Sequence, residues 1–269
     1  MINYKKVAII TTAINFDLYK KSNPLFDERY DRYMIDGRDG MHGMDSISYM
    51  IKKMKNLDYD YLIMSDEDFF LKSNENLELL IEEMERDNIT ISGVRDGGVL
   101  NHRKFNPFCI NTFFSIINLK TIKKYWNKKE VLSNQKINDG EFVLDEILPF
   151  KYDENSLFES YYCFYLWSLR KGLKIKYLIS KHFENEDTVS NTVYLKENQV
   201  IGYHSWYARS YGLHEGHTQR IDKILKMVAP NKTTKSLNYV IWKDYTYKYS
   251  KSINKFLKKV YLKFSSSSK

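Results

Sequence analysis

Short apolar runs alternate with amphipathic stretches along this chain. Val7 to Ile14 is a compact run rich in β-branched residues and predicts a first strand. Residues 15–35 are polar and aromatic with one proline, and predict a loop with a short helix. Ile47, Met50, Ile51 and Met54 recur at helical spacing and predict a helix from Ser46 to Lys55. The run from Tyr59 to Met64 predicts a buried strand. Leu77, Leu80, Ile81 and Met84 line one face of a helix over Asn74–Arg86, and Ile89–Val94 is another strand. Phe108 to Leu119 predicts a strand, with a helix following over Asn118–Trp126. Residues 127–156 are polar and predict an irregular excursion. Leu157–Lys171 predicts an aromatic helix closed by Gly172 as its cap, and Leu173–Ile179 a further strand. Strands alternating with helices predict an α/β layered fold.

Two junctions in this pattern carry candidate chemistry. The strand ending at Met64 runs through Ser65 into Asp66-Glu67-Asp68, and apolar residues resume at once with Phe69 and Phe70. Carboxylates crowded at the rim of a sheet repel one another unless a cation lies between them. Two oxygen ligands one residue apart suit a hard ion such as Mg²⁺ or Mn²⁺, which completes its shell with phosphate and water. The carboxyl edge of an open α/β sheet is where such ligands bind. Acidic residues after a strand also serve as turn formers and helix caps, so the motif alone leaves both readings open. The second junction is Gly37-Arg38-Asp39-Gly40-Met41-His42-Gly43, just before the helix at Ser46. Its backbone is permissive, the helix start can hold a phosphate or sugar hydroxyl, and Arg38 is a charged partner for such a group. It reads equally well as a plain turn capped by Asp45 or Ser46. The spacings of a Walker loop and of a dinucleotide fingerprint are both absent.

Composition narrows the classes. The 269 residues are 28% charged and 43% hydrophobic, ordinary for a soluble globular chain with a sizeable core. Tyrosine and phenylalanine are abundant, at 22 and 15 residues, and fill cores as well as lining sugar-like or interface sites. Cys109 and Cys163 each sit in an apolar or aromatic run and read as buried free thiols of a reducing compartment. No run has the length of a secretory core or a membrane span, so the expected location is cytoplasmic.

The net charge of +8 is concentrated after residue 230, where ten lysines face one aspartate, which leaves residues 1–230 near neutral. A near-neutral body argues against a nucleic-acid-binding protein. The expected organisation is a catalytic body over 1–230 and a basic helical tail over 231–269. In that tail Ile253, Phe256, Leu257, Val260 and Phe264 recur at helical spacing, with Lys251, Lys255, Lys258, Lys259 and Lys263 mostly between them. This is the pattern of an amphipathic helix on an anionic membrane, which would bring the protein to the inner face of the membrane and a lipid-linked acceptor. A solvated helix docked on the body is the other reading.

The ordered set of Val7–Ile14, the strand-borne Asp66-Glu67-Asp68, the unit from Phe158 to Ile175 and the late His204-Ser205-Trp206-Tyr207 resembles glycosyltransferases of the GT-A fold. The resemblance spans residues 5 to 220 and is strongest to bacterial enzymes that build surface polysaccharides. It implies a Rossmann-like α/β/α sandwich with a mixed, mainly parallel sheet, and transfer of a sugar from a nucleotide-diphospho-sugar to a glycan acceptor hydroxyl. It implies Mn²⁺ or Mg²⁺ held by Asp68, with Asp66 at the metal or the ribose and His204 completing the shell. His214 and His217 compete for that last role. Thr11, Thr12, Arg38, Glu67 and Arg209 would help seat the nucleotide and its diphosphate. Glu159 occupies the place of the general base in inverting members. Ser160 follows where an acidic residue is usual, so Asp153 and Glu154 are alternatives. A sugar hydroxyl needs such a base because it is a poor nucleophile until its proton is accepted. Two other classes stay open: a nucleotidyltransferase of similar fold, and a non-catalytic sugar-binding protein.

Overall fold

The structure is a computed structural model that describes residues 2–97, 99, 105–144, 148, 152–229, 237–253 and 256. Its elements are β1 (Val7–Ala13), α1 (Phe16–Ser22), β2 (Asp31–Asp36), α2 (Gly43–Met54), β3 (Tyr61–Ser65), β4 (Phe69–Leu71), α3 (Asn74–Arg86), β5 (Ile91–Arg95) and β6 (Ile110–Asn118). There follow α4 (Leu119–Tyr125), α5 (Lys128–Ser133), α6 (Tyr162–Arg170), β7 (Ile175–His182), β8 (Asn191–Lys196), β9 (Gln199–His204), α7 (Glu215–Val228) and β10 (Val240–Trp242). The strands form one mixed sheet in the order β10-β2-β1-β3-β6-β5-β7-β8-β9-β4. Strands β10, β2, β1 and β3 run parallel, and β6 is antiparallel to both its neighbours, β3 and β5.

Helices cover both faces, which is why the central strands read as continuous apolar runs. Alternate side chains of a strand point to opposite faces. Val7 and Ile9 join one core with Leu77, Leu80, Ile81 and Met84 of α3 and Ile221 and Ile224 of α7. Ala8 and Ile10 join the other with Ile47, Met50, Ile51 and Met54 of α2 and the aromatic face of α6. The α/β/α sandwich is therefore the observed architecture. Helix starts are capped as their sequences suggest: Asn15, Ser73 and Asn118 accept from Leu18, Asn76 and Thr121 backbone N–H groups.

Five strands, β2, β4, β8, β9 and β10, have no counterpart in the hydrophobic pattern. Strand β2 is polar at its start, β4 is only three residues long, and β8 lies in a mixed segment. The most consequential is β4. It follows β3 directly, yet pairs with β9 at the far end of the sheet order, Phe69 opposite His204 and Leu71 opposite Gly202. The acidic triplet is thus the corner where the sheet folds back on itself. The approach of the two strands requires a glycine, because a Cβ on residue 202 would stand 2.5 Å from the Phe69 ring.

Helix α6 begins at Tyr162 rather than Leu157, because the preceding segment is tied elsewhere. The Asn106 amide donates to the Ser156 carbonyl at 3.1 Å, and Phe158 packs on Phe105. Gly172 ends the helix at φ 71°, the left-handed cap its position suggests.

The chain beyond residue 230 is not a separate tail throughout. Val240–Trp242 adds a parallel strand beside Tyr33, Met34 and Ile35. After it, residues 247–253 are helical. Tyr247 Oη donates to the Asp45 carboxylate at 2.6 Å, and Lys251 Nζ donates to the Gly40 carbonyl at 3.1 Å. The expected boundary at 230 therefore cuts a sheet whose last strand lies beyond it. A short apolar strand gains more from ladder bonds and the Tyr33–Trp242 ring contact than from solvent. Of the expected amphipathic helix, Ile253 and Phe256 are exposed, and positions 254–255 and 257–269 lie outside the described residues. Among the described residues no helix is long and apolar enough to cross a membrane.

Asp36 fastens β10 to the sheet. It is buried, takes two bonds from the Arg38 guanidinium and lies 3.3 Å from Lys243 Nζ. The Arg38 bonds chiefly, with help from Lys243, hold its carboxyl down at about 2. A depressed carboxylate stabilises the fold above its ordinary pKa, and that contribution is lost as pH falls towards 2. Asp36→Asn should therefore cost on the order of 1 kcal/mol at pH 7, discounted for solvent around the partners. The gap to wild type should close between pH 4 and 2, read from urea unfolding midpoints.

Candidate active site

A cavity of about 430 Å³ opens where the carboxyl ends of β1 and β3 meet the start of α2 and the loop after β9. Its walls include Thr12, Ser46, Asp66, Glu67, Asp68, Asn111, His204, Trp206 and Arg209. Asp66, Glu67 and Asp68 lie side by side along one wall because the chain turns there from β3 to β4.

The three carboxylates have different surroundings. Asp66 is anchored by its backbone N–H, which donates to the Phe113 carbonyl at 2.8 Å. Burial first, then the charges of Asp68 and Glu67, push its carboxyl well above the usual range. Glu67 is buried, and its Oε1 accepts from the Ile14 and Asn15 N–H groups at 2.8 and 2.9 Å. Burial and the neighbouring Asp68 raise it to about 7, against the pull of those two N–H groups. One Glu67 oxygen is therefore occupied in fixing the β1–α1 turn, a role that a sequence motif does not reveal.

Asp68 and His204 are both buried, with Oδ1 and Nε2 3.3 Å apart. The β4–β9 register places them together, and the Ser205 N–H donates to the Asp68 carbonyl at 3.0 Å. The His204 ring stacks on Phe113 with centroids 3.8 Å apart. Its Nδ1 is buried and has no hydrogen-bond partner among the described residues.

The loop after His204 is unusual. Trp206 and Tyr207 both have positive φ, 59° and 64°. A residue with a Cβ in this region costs about 1–2 kcal/mol. The kink is pinned from behind by Arg220 of α7, whose guanidinium donates to Ser190 Oγ, to the Ser205 carbonyl and, at 3.3 Å, to the Trp206 carbonyl. The Trp206 indole N–H donates to Asn191 Oδ1 at 3.1 Å. Burial lowers the Arg220 pKa, while the charges of Asp187 and Asp68 oppose that. Sequence reading missed Arg220 and Asn191, since neither belongs to a recognisable motif. The chain of Asn111 on the cavity wall, Asp96 and Tyr161 was also missed: Asn111 Nδ2 and Tyr161 Oη donate to the buried Asp96 carboxylate at 2.8 and 2.9 Å.

Other expected site residues fall in different places. Thr12 lines the cavity and pairs with Ser46 through their hydroxyls, whereas Thr11 is buried beside it and does not line it. Arg38 bonds Asp36 and lies over the Phe16 ring, in a separate hollow with Lys243. Arg209 is on the cavity wall. His214 caps α7 and His217 stacks on Tyr207, both off the cavity wall. Asp153 and Glu154 are exposed. Glu159 is half-buried just before α6 and does not line the cavity. Among the described residues no group of three or more His, Cys, Asp or Glu side chains is arranged to hold a metal ion by itself.

No protein-family model matches the sequence, and comparison with curated proteins finds no match. Three solved structures show a distant likeness in chain path. The mouse xyloside xylosyltransferase 1, apo form, has a TM-score of 0.37 at 9% identity, over 64% of this chain and 85% of that one. The mannosyltransferase PcManGT from Pyrobaculum calidifontis, in complex with GDP-Man and Mn²⁺, has 0.28 at 7%, over 44% and 45%. The glycosyltransferase GlyE of Streptococcus pneumoniae TIGR4 has 0.30 at 12%, over 52% and 42%. The likeness lies in the path of the chain alone.

Glu67 offers a direct test of this corner. Because burial raises its carboxyl, ionisation costs stability as pH rises from 4.5 through about 7. Glu67→Gln keeps an acceptor for the two N–H groups without the charge, and should match or exceed wild type at pH 8. Glu67→Ala leaves both N–H groups unpaired and should lose about 1–3 kcal/mol. Thermal unfolding of both variants without added metal checks the contrast.

Proposed function

We propose that this protein is a glycosyltransferase that binds a nucleotide-diphospho-sugar with a divalent cation, Mn²⁺ or Mg²⁺, and passes the sugar to an acceptor hydroxyl. The observation that carries this reading is the buried Asp68–His204 pair beside Asp66, at the wall of a cavity large enough for a nucleotide. The donor set suits such an ion. Two adjacent ligands of an octahedral ion bonded at about 2.1 Å stand roughly 3 Å apart, close to the 3.3 Å between Asp68 Oδ1 and His204 Nε2. A cation also relieves the repulsion that raises Asp66 and Glu67. With too few protein ligands to close the shell, the remaining positions fall to diphosphate oxygens and water, the habit of Mg²⁺ sites.

When bound, the ion supplies Lewis-acid stabilisation of the leaving diphosphate. The chain's own residues do the rest. Asp68 and His204 hold the ion, with Asp66 at the ion or the ribose. Arg209 on the cavity wall adds a positive charge facing the diphosphate. Thr12 and the start of α2 offer a hydroxyl and backbone N–H groups to the nucleotide.

Proton acceptance from the acceptor is assigned to Glu159. Glu159 itself does not line the cavity but is half-buried close to it: its neighbour Ser160 Oγ accepts from the Met44 N–H at 3.4 Å, one residue past Gly43 of the cavity wall. The segment of Asp153 and Glu154 is exposed. The reading extends to a surface glycan as the product and, through the basic residues after 243, to an anionic membrane that presents a lipid-linked acceptor.

Asp68→Ala should abolish Mn²⁺-dependent binding of UDP or GDP in a calorimetric titration, and normal affinity in that variant would overturn the assignment. Glu159→Gln should leave nucleotide affinity within about twofold while lowering turnover by about 10²–10⁴-fold, the usual contribution of a general base. Turnover is assayed with whichever nucleotide sugar gives Mn²⁺-dependent thermal stabilisation in a panel screen. An unaffected rate would place the base elsewhere.

A further inference from the structure

We propose that Tyr207, braced by His217, is the platform on which the sugar ring of the acceptor stacks. The inference deepens the glycosyltransferase reading and rests on it.

Tyr207 is 51% exposed although it lines the cavity, so its ring stands at the mouth and not in the interior. The His217 ring stacks on it, centroids 4.3 Å apart at 16°, which covers one face of the phenol ring. A pyranose presents a face of C–H bonds carrying slight positive charge, complementary to the negative face of an aromatic ring. The phenolic hydroxyl adds a polar edge for sugar hydroxyls.

The position is set by the backbone. Left-handed φ at both Trp206 and Tyr207 turns the chain sharply after His204. Trp206 folds back against His204, ring centroids 4.5 Å apart, while Tyr207 is delivered to the rim. Arg220 holds the Ser205 and Trp206 carbonyls that define the kink. Strain of this kind persists only where the surroundings over-determine it, and it clusters at ligand clamps.

Reach separates acceptor from donor. Tyr207 follows His204 by three residues, so their Cα atoms are within about 11 Å. A ring about 5 Å across on Tyr207 spans from the mouth towards the Asp68–His204 corner, where the donor diphosphate is placed. An exposed ring at the mouth meets the substrate that arrives second, after the nucleotide has filled the interior.

The test is saturation-transfer NMR on the full chain loaded with Mg²⁺ and UDP or GDP. The probes are methyl β-galactoside, methyl β-glucoside and methyl α-mannoside. At least one glycoside should receive saturation at its ring C–H protons. Tyr207→Ala should weaken that binding about tenfold, the scale of one lost stacked ring. Tyr207→Phe, which keeps the ring, should retain it within about threefold. No transfer to any glycoside in wild type, or equal transfer in Tyr207→Ala, overturns the platform. Calorimetry of Mg²⁺–nucleotide binding runs in parallel. Wild type that binds nucleotide but no glycoside sinks this inference alone, whereas wild type that binds no nucleotide sinks the glycosyltransferase reading.

Discussion

Crowding three neighbouring carboxylates into one corner, two of them buried, is the constraint around which the rest of this structure is arranged. Like charges in a low-dielectric corner raise one another's pKa, and desolvation adds to the cost. The fold answers with the partial charges of two backbone N–H groups on Glu67 and with the full charge of the half-buried Arg220 guanidinium, which interacts with Asp68. These do not neutralise the corner, since Asp66 and Glu67 stay raised. The corner is thus left short of positive charge, which is the physical basis of the proposal that it takes a cation.

The corner exists because the sheet folds back on itself. Strand β3 ends, three acidic residues turn the chain, and β4 leaves to pair with β9. That pairing carries His204 to Asp68 across 136 residues of sequence. It also sets where the next segment begins, so the aromatic kink and its Arg220 brace are consequences of the same register. Gly202 permits it, since any larger residue meets the Phe69 ring. A substitution there would act on the site by moving a strand rather than by touching a ligand.

The opposite side of the cavity depends on the end of the chain. Tyr247 and Lys251 grip Asp45 and the Gly40 carbonyl, at the loop that begins α2. The start of α2 supplies Ser46 to the cavity wall. The segment after 237 therefore shares the work of shaping the cavity, whatever surface its lysines also meet. The apolar and basic alternation expected over 251–264 lies mostly outside the described residues, and its described apolar positions, Ile253 and Phe256, are exposed.

The α/β layers, the helix over Asn74–Arg86 and the acidic triplet at a strand end were legible in the sequence, because each is a local matter of periodicity or abrupt change of polarity. Strands β2, β4, β8, β9 and β10 were not, since short or polar strands owe their existence to neighbours that pair with them. The same distinction runs through the site. Asp66 and Asp68 could be picked out by their own spacing, and His204 only by resemblance. That Glu67 ties a turn, that Arg38 serves Asp36, and that Arg220 and Asn191 hold the aromatic kink followed from long-range pairing alone. Side-chain chemistry is written residue by residue, whereas the partner that fixes each side chain is chosen by the register of strands far apart in the chain.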